Sequence, residues 1–322
     1  ALGYASQAHC VSGTYNTTIG YASMSTNETG NSNTVVGALA LDANISGSFN
    51  SAFGYQSMMN STQGGWNVAF GTNALMNNED GNSNCAIGNN ALEENISGFL
   101  NVAVGIDALK LNTTGTTLVA IGDAALKNNG VGATDPMEGA YNTAVGSKSQ
   151  YTNTLGWSNT AVGFETMLLN TVGSYNTAMG YKALWANEDG EHNTAVGSRA
   201  LEANETGQNN TAIGSEALHV NASGFGNTAL GAFTLRENIS GQHNIAIGYG
   251  AVEMNTEASN ITAIGYQSLA VCSAPDNTAV GNLALAGCTI GMDNTAIGSQ
   301  ALQTNSEGNF NVAVGKMALF TN

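Results

Sequence analysis

Thiols, imidazoles and carboxylates are the side chains with which this chain could do chemistry, and their spacing argues against most of it. The histidines are His9, His192, His219 and His243. No zinc-type cysteine spacing, Walker loop, serine nucleophile elbow or isolated carboxylate pair accompanies them. Two Asn-Glu-Asp-Gly tetrapeptides, Asn78 to Gly81 and Asn187 to Gly190, carry the acidic oxygens a cation would want. They lack the Gly-Gly-x-Gly-x-Asp pattern of calcium-binding rolls and read as acidic turns. No catalytic residue, metal site or cofactor is expected, so the chain is read as a non-enzyme. What remains is covalent: a disulfide between Cys272 and Cys288, and Asn-x-Ser/Thr sequons open to glycosylation at Asn27, Asn44, Asn95, Asn112, Asn204, Asn221 and Asn238.

The element that must position these residues is a repeat. A glycine closes each Asn-Thr-Ala-Val/Ile-Gly segment, from Gly3 to Gly315, and 16 of the 18 intervals between successive glycines are 17 residues long. Calling this glycine position 0, the exceptions are 24 residues from Gly122 to Gly146 and 16 from Gly265 to Gly281, and each holds one of the two prolines, Pro136 and Pro275. Prolines so placed belong in turns that bulge or shorten between stacked coils.

Seventeen residues are too few for a helix pair and suit one coil of two or three short strands. The expected fold is all-β: a parallel β-solenoid (β-roll or β-helix) of about 19 coils, left-handed, running through residues 1–322 as one repeat domain with a loop inserted at 127–141. At about 4.8 Å per stacked strand the rod would be roughly 90 Å long. Position −1 is always apolar and +4 is Leu, Met or Val except at Gln7 and Gln150, so both are expected to fill the core. Position −2 is Ala except at Thr18 and Val35, and +3 is always Ala, Ser or Thr, so each is read as a close-packed contact. Asn recurs at −4 and +7, usually with Ser or Thr at +9 and Gly at +10, which predicts turns with positive φ at Asn and Gly.

The columns place the chemistry. Cys272 and Cys288 both occupy +7 in successive coils, about 5 Å apart if stacked, within disulfide range, with two buried free thiols as the alternative. Cys10 shares their column in the first coil, and Cys85 at −3 reads as a small core residue. His192 and His243 share a column three coils apart, roughly 14 Å, too far for one metal ion. Lys148, Glu165, Lys182, Arg199 and Glu216 at +2 would form a mostly alternating charge ladder. The turn's own demand for Asn followed by Ser or Thr explains the sequons without any glycan.

Composition narrows the function classes. Charged residues make up only 9% of the chain, 41 residues are Gly, and the net charge is −16. Nucleic acid and anionic membranes would be repelled. No run of about 18 apolar residues appears, so membrane insertion is not expected. With no basic leader and no initiating Met, the sequence reads as the interior or processed part of something longer.

Segments such as Asn193 to Gly197 and Asn294 to Gly298 resemble the Asn-Ser-Val-Ala-Ile-Gly repeats of YadA-like heads of trimeric autotransporter adhesins, and similar repeats of phage and viral tail fibres. The resemblance runs through essentially the whole chain, with a coil of 17 residues against a shorter head repeat. It implies a left-handed parallel β-roll with three chains packed around an axis. Val/Ile-Gly-x-x-Ala/Ser/Thr also resembles one hexad of the hexapeptide left-handed β-helix, whose acyltransferases use a His, but no His is suitably placed here.

The function expected is that of an extracellular structural rod, adhesin-like or tail-fibre-like, on a cell surface, secreted fibre or virion. Its partners would be copies of itself, as a trimer or head-to-tail assembly, and host surface or matrix molecules. A head-to-tail extracellular filament subunit is the alternative, since the repeat's phase at both ends suggests continuation. An ice-binding solenoid using the Thr column at −3 is a third, opposed by Val68, Val102, Val119, Ile245 and Val312 in that column.

Overall fold

A computed structural model describes residues 1–135 and 137–321. Every regular element in it is a three-residue strand, and all strands pair in parallel as the coils of a β-solenoid. The chain divides into two compact units, Ala1–Val162 and Gly163–Asn322. The first holds nine strands, from β1 (Thr17–Ile19) to β9 (Thr160–Val162), and the second nine, from β10 (Thr177–Met179) to β18 (Val312–Val314).

Within each unit like pairs with like. Thr194, Ala195 and Val196 lie beside Thr211, Ala212 and Ile213. The irregular intervals do not disturb this register: Val119 still faces Thr143 across the 24-residue interval, and Thr262 faces Thr278 across the 16-residue one. Both therefore add or remove residues only in the turns.

The strands reverse one expectation. In every strand the middle residue, position −2, is buried and the flanking residues −3 and −1 are half or fully exposed. The apolar −1 column therefore faces outward, and Cys85 at −3 is a half-buried outer residue rather than a core one. The interior explains why. It is filled by Ala at −2, a small residue at +3, Leu or Met at +4 and two amides, as at Ala195, Ala200, Leu201, Asn193 and Asn204, all fully buried. A coil this narrow has no space for a second branched side chain, so the strand turns its Val or Ile out.

The turns hold a second difference. Asn at −4 and +7 does not take positive φ; residues at −5, +2 and +4 do, as in Tyr175 (φ 59), Lys182 (φ 52) and Leu184 (φ 53). A left-handed conformation costs a non-glycine residue about 1–2 kcal/mol. Here such residues aim their N–H at a neighbouring coil along most of the stack: Lys182 donates to the Phe164 carbonyl at 3.1 Å and Leu184 to the Ala200 carbonyl at 2.9 Å. The inter-coil hydrogen bonds keep the backbone satisfied in a turn that has no regular sheet.

Candidate functional site

The residues that do most in this molecule are two columns of buried asparagines. At −4, each amide nitrogen donates to the carbonyl of residue +10, fourteen positions on, as Asn193 does to Gly207 at 2.8 Å. Its carbonyl oxygen accepts the backbone N–H of the −4 residue in the next coil, as Asn193 does from Asn210 at 3.0 Å. At +7, each amide nitrogen donates to the previous coil's +7 oxygen and to its own +10 carbonyl. Asn204 bonds Asn187 at 2.8 Å and Gly207 at 3.0 Å, and accepts from Asn221 at 2.8 Å. Two amide ladders thus run inside each unit, broken at a few coils, supplying hydrogen bonds that a core this thin could not draw from water.

The ladder's interruptions are informative. Asn is replaced at −4 by Leu118 and by Ile261, and these two precede the 24-residue and 16-residue intervals. The carbonyl fourteen residues on would be that of Gly132 or Pro275. Its place is taken by Gly139, which accepts from Asn129 at 2.9 Å and Asn142 at 3.0 Å, or by Ala274, which accepts from Asn277 at 3.1 Å. These carbonyls are already taken by the amides of neighbouring asparagines, and an apolar residue stands at −4 in both coils. At +7, Ser61 is too short to reach the coil before it, and Asn44 Oδ1 is left buried without a partner. Ser61→Asn is expected to complete the ladder and stabilise the chain by about 1 kcal/mol, read as a higher urea midpoint.

The sequon asparagines belong to this ladder, in keeping with the turn's own demand for asparagine followed by Ser or Thr. Asn27, Asn44, Asn95, Asn112, Asn204, Asn221 and Asn238 are all fully buried. Their amide nitrogens donate within the core, as Asn238 does to Asn221 at 2.8 Å and Gly241 at 3.1 Å. A glycan on that nitrogen would take the place of the hydrogen bonds holding the coil.

The expected disulfide is likewise not formed. Cys272 and Cys288 are buried free thiols with their sulfurs 3.1 Å apart. They stand in for asparagine: Cys288 Sγ donates to the Gly291 carbonyl at 3.2 Å, as a +7 amide does, and Asn277 Nδ2 donates to Cys272 Sγ at 3.5 Å. The hydrogen bond between the sulfurs lowers the Cys272 thiol's pKa, while the same contact and burial raise that of Cys288. Cys10 fills the same place, accepting from Asn27 at 3.7 Å.

The +2 charges form only part of the expected ladder. Lys182 reaches Glu165 at 3.6 Å, but Arg199 turns to Glu202 at 3.6 Å. A different pairing recurs, between an acid at +2 and a base at +5 of the next coil, twenty residues on: Asp107 with Lys127 and Glu216 with Arg236, each at 2.8 Å. Burial works to raise the Asp107 carboxyl, but hydrogen bonds from Lys127 and Asn90 and the nearby lysine charges outweigh it and hold its pKa below the usual value. The signal for these pairs was the twenty-residue spacing, which a search within one column does not find.

Three of the histidines lie apart from one another, each against a different neighbour. His192 stacks on Tyr175 with ring centroids 4.8 Å apart, His243 meets Phe225 edge-on at 4.9 Å, and His219 Nδ1 lies 3.3 Å from Glu202. Among the described residues no three His, Cys, Asp or Glu side chains come together as metal ligands, and no helix is long and apolar enough to cross a membrane. Both Asn-Glu-Asp-Gly segments are turns whose Asn78 and Asn187 each donate to the closing glycine at 2.9 Å. No protein-family model matches the chain, and no curated protein does.

Proposed function

We propose that this chain is a structural element of an extracellular fibre, non-catalytic, in which copies associate side by side. The observation that supports this reading is the outer face of the strands. No −3 or −1 residue of any strand is charged, although the chain's net charge is −16. The face displays Thr at −3 and Val, Ile, Leu, Met or Phe at −1, with Met179 50%, Leu230 43% and Ile297 43% exposed. In each unit nine strands at about 4.8 Å, two outward residues wide, make an uncharged band of roughly 400 Å², the size of the largest patch on a typical monomer and often functional. Aromatic residues interspersed at the flanking +1 and −5 positions, among them Tyr21, Tyr55, Phe49 and Trp66, widen it locally.

A second copy is the occupant this band fits. Its ridges repeat at the strand spacing, and the surface that repeats identically is another solenoid of the same sequence. Exclusion of charge from the band lets two strongly acidic chains meet where neither carries a charge. The resemblance to adhesin heads and tail fibres supports an extracellular setting, and the tandem coils support a role in length and rigidity.

Sedimentation of the purified chain is expected to give a discrete oligomer. The double substitution Ile213→Glu with Ile264→Glu should shift it to monomer with unchanged circular dichroism, because both residues are outward and their substitution disturbs no core. A wild-type monomer at high concentration, or an oligomer untouched by the substitutions, would sink the side-by-side reading. Long fibres whose growth survives both substitutions would instead favour head-to-tail assembly.

A further inference from the structure

The inserted segment and two coils before it build a groove. It has a volume of about 330 Å³ and is lined by Ser97, Phe99, Thr114, Thr116, Ala133, Thr134 and Asp135. Two successive coils supply the first four, one hydroxyl residue at +9 and one residue at −6 from each, and the insertion closes over them. The closing loop is held from within: the backbone N–H groups of Thr134 and Asp135 donate to the Glu138 carboxylate at 2.6 and 3.1 Å, and Met137 N–H donates to Asp135 Oδ1 at 2.8 Å. Its base is tied to the next coil by Gly130 N–H to Thr154 and Gly139 N–H to Leu155, at 2.8 and 3.0 Å.

We propose that this groove binds a neutral carbohydrate, one or two sugar rings in size. Three features of the groove choose that class. The side-chain hydroxyls of Ser97, Thr114, Thr116 and Thr134 make no hydrogen bond to any described residue, leaving a row of donors and acceptors matched to a polyol. Phe99 is 47% exposed and stacks on no other ring among the described residues, so its face is open to the C–H side of a sugar ring. The Asp135 carboxylate can accept hydrogen bonds from adjacent sugar hydroxyls. Charge favours a neutral ligand: no Lys or Arg lines the groove and its one charged lining residue is Asp135, so an acidic sugar would find no partner there. The volume falls at the small end of ligand sites, which suits a mono- or disaccharide.

The inference does not depend on association of copies and is tested separately from it. Saturation-transfer NMR on the intact chain would use glucose, galactose, mannose, N-acetylglucosamine, lactose and cellobiose, with galacturonic acid as a charged comparator. Transfer is expected for at least one neutral sugar, with an affinity near the millimolar range. Phe99→Ala should weaken it about tenfold, and Asp135→Asn, which keeps the oxygen bonded to Met137, should weaken it less. Both residues are exposed, and unchanged circular dichroism and urea midpoints would confirm that the variants fold. Absence of transfer from every neutral sugar, equal transfer in Phe99→Ala, or preferential binding of galacturonic acid would each overturn the proposal.

Discussion

Gly197→Ala is expected to lower the stability of its unit by about 4 kcal/mol or more, the range reached only when a side chain has nowhere to go. Gly197 has φ +135, a region essentially closed to other residues, and a Cβ there would overlap the carbonyl of Gly214 in the next coil. Since that carbonyl belongs to the stacked backbone, relief would require separating two coils along their whole contact. Gly132→Ala is the control: its φ of +83 is also unfavourable, but a Cβ would meet nothing within 4 Å. It should cost about 1 kcal/mol, the conformational part alone. Urea midpoints of the two variants separate overlap from strain, and equal losses would show that close stacking is not what selects glycine at position 0.

Asn204→Ala should cost about 3 kcal/mol, although it changes no backbone conformation. It takes the donor from Asn187 Oδ1 and an acceptor from Asn221 Nδ2, both buried, and leaves a small void between them. Gly207 keeps its second donor, Asn193, which holds the loss to one broken rung. Gln208→Ala, at an exposed neighbouring position, should be neutral. The loss should appear as early unfolding or proteolysis near this coil, because in a stacked array each coil depends mainly on its neighbours. A loss equal to that of Gln208→Ala would mean that the ladder contributes nothing.

The repeat, its period, the parallel stacking and the position of both irregular turns are legible in the sequence because one-dimensional periodicity survives folding unchanged. Sidedness is harder to read. Ala-Val at −2 and −1 offers an apolar residue on each side of the strand, and only the narrowness of the coil decides that the smaller one goes in. Asparagine misleads for a similar reason: it is common in turns and as a glycan acceptor, and nothing local in Asn204-Glu205-Thr206 announces an amide buried between two others. The signal lay in where the column breaks, since Leu118 and Ile261 appear only beside the altered intervals. The thiols of Cys272 and Cys288 lie as close as their shared column implies, yet they do the work of asparagine side chains rather than forming a bond. For the groove, the inserted loop is visible in the spacing, but which coils it covers is a matter of how the loop folds back.

The coupling between Leu118 and the 24-residue interval amounts to a rule of syntax for this scaffold. A turn can be lengthened between +8 and −6, as nature has done after Gly122, provided the −4 residue of the same coil gives up its amide, because the acceptor fourteen residues later has moved. A foreign peptide grafted into a regular coil, such as the one after Gly197, would therefore call for Leu at Asn193 in the same step and a new acceptor for the Asn210 N–H that the Asn193 oxygen now holds. Each coil is then an address at which a new surface can be written, at terms set jointly with the coil stacked on it.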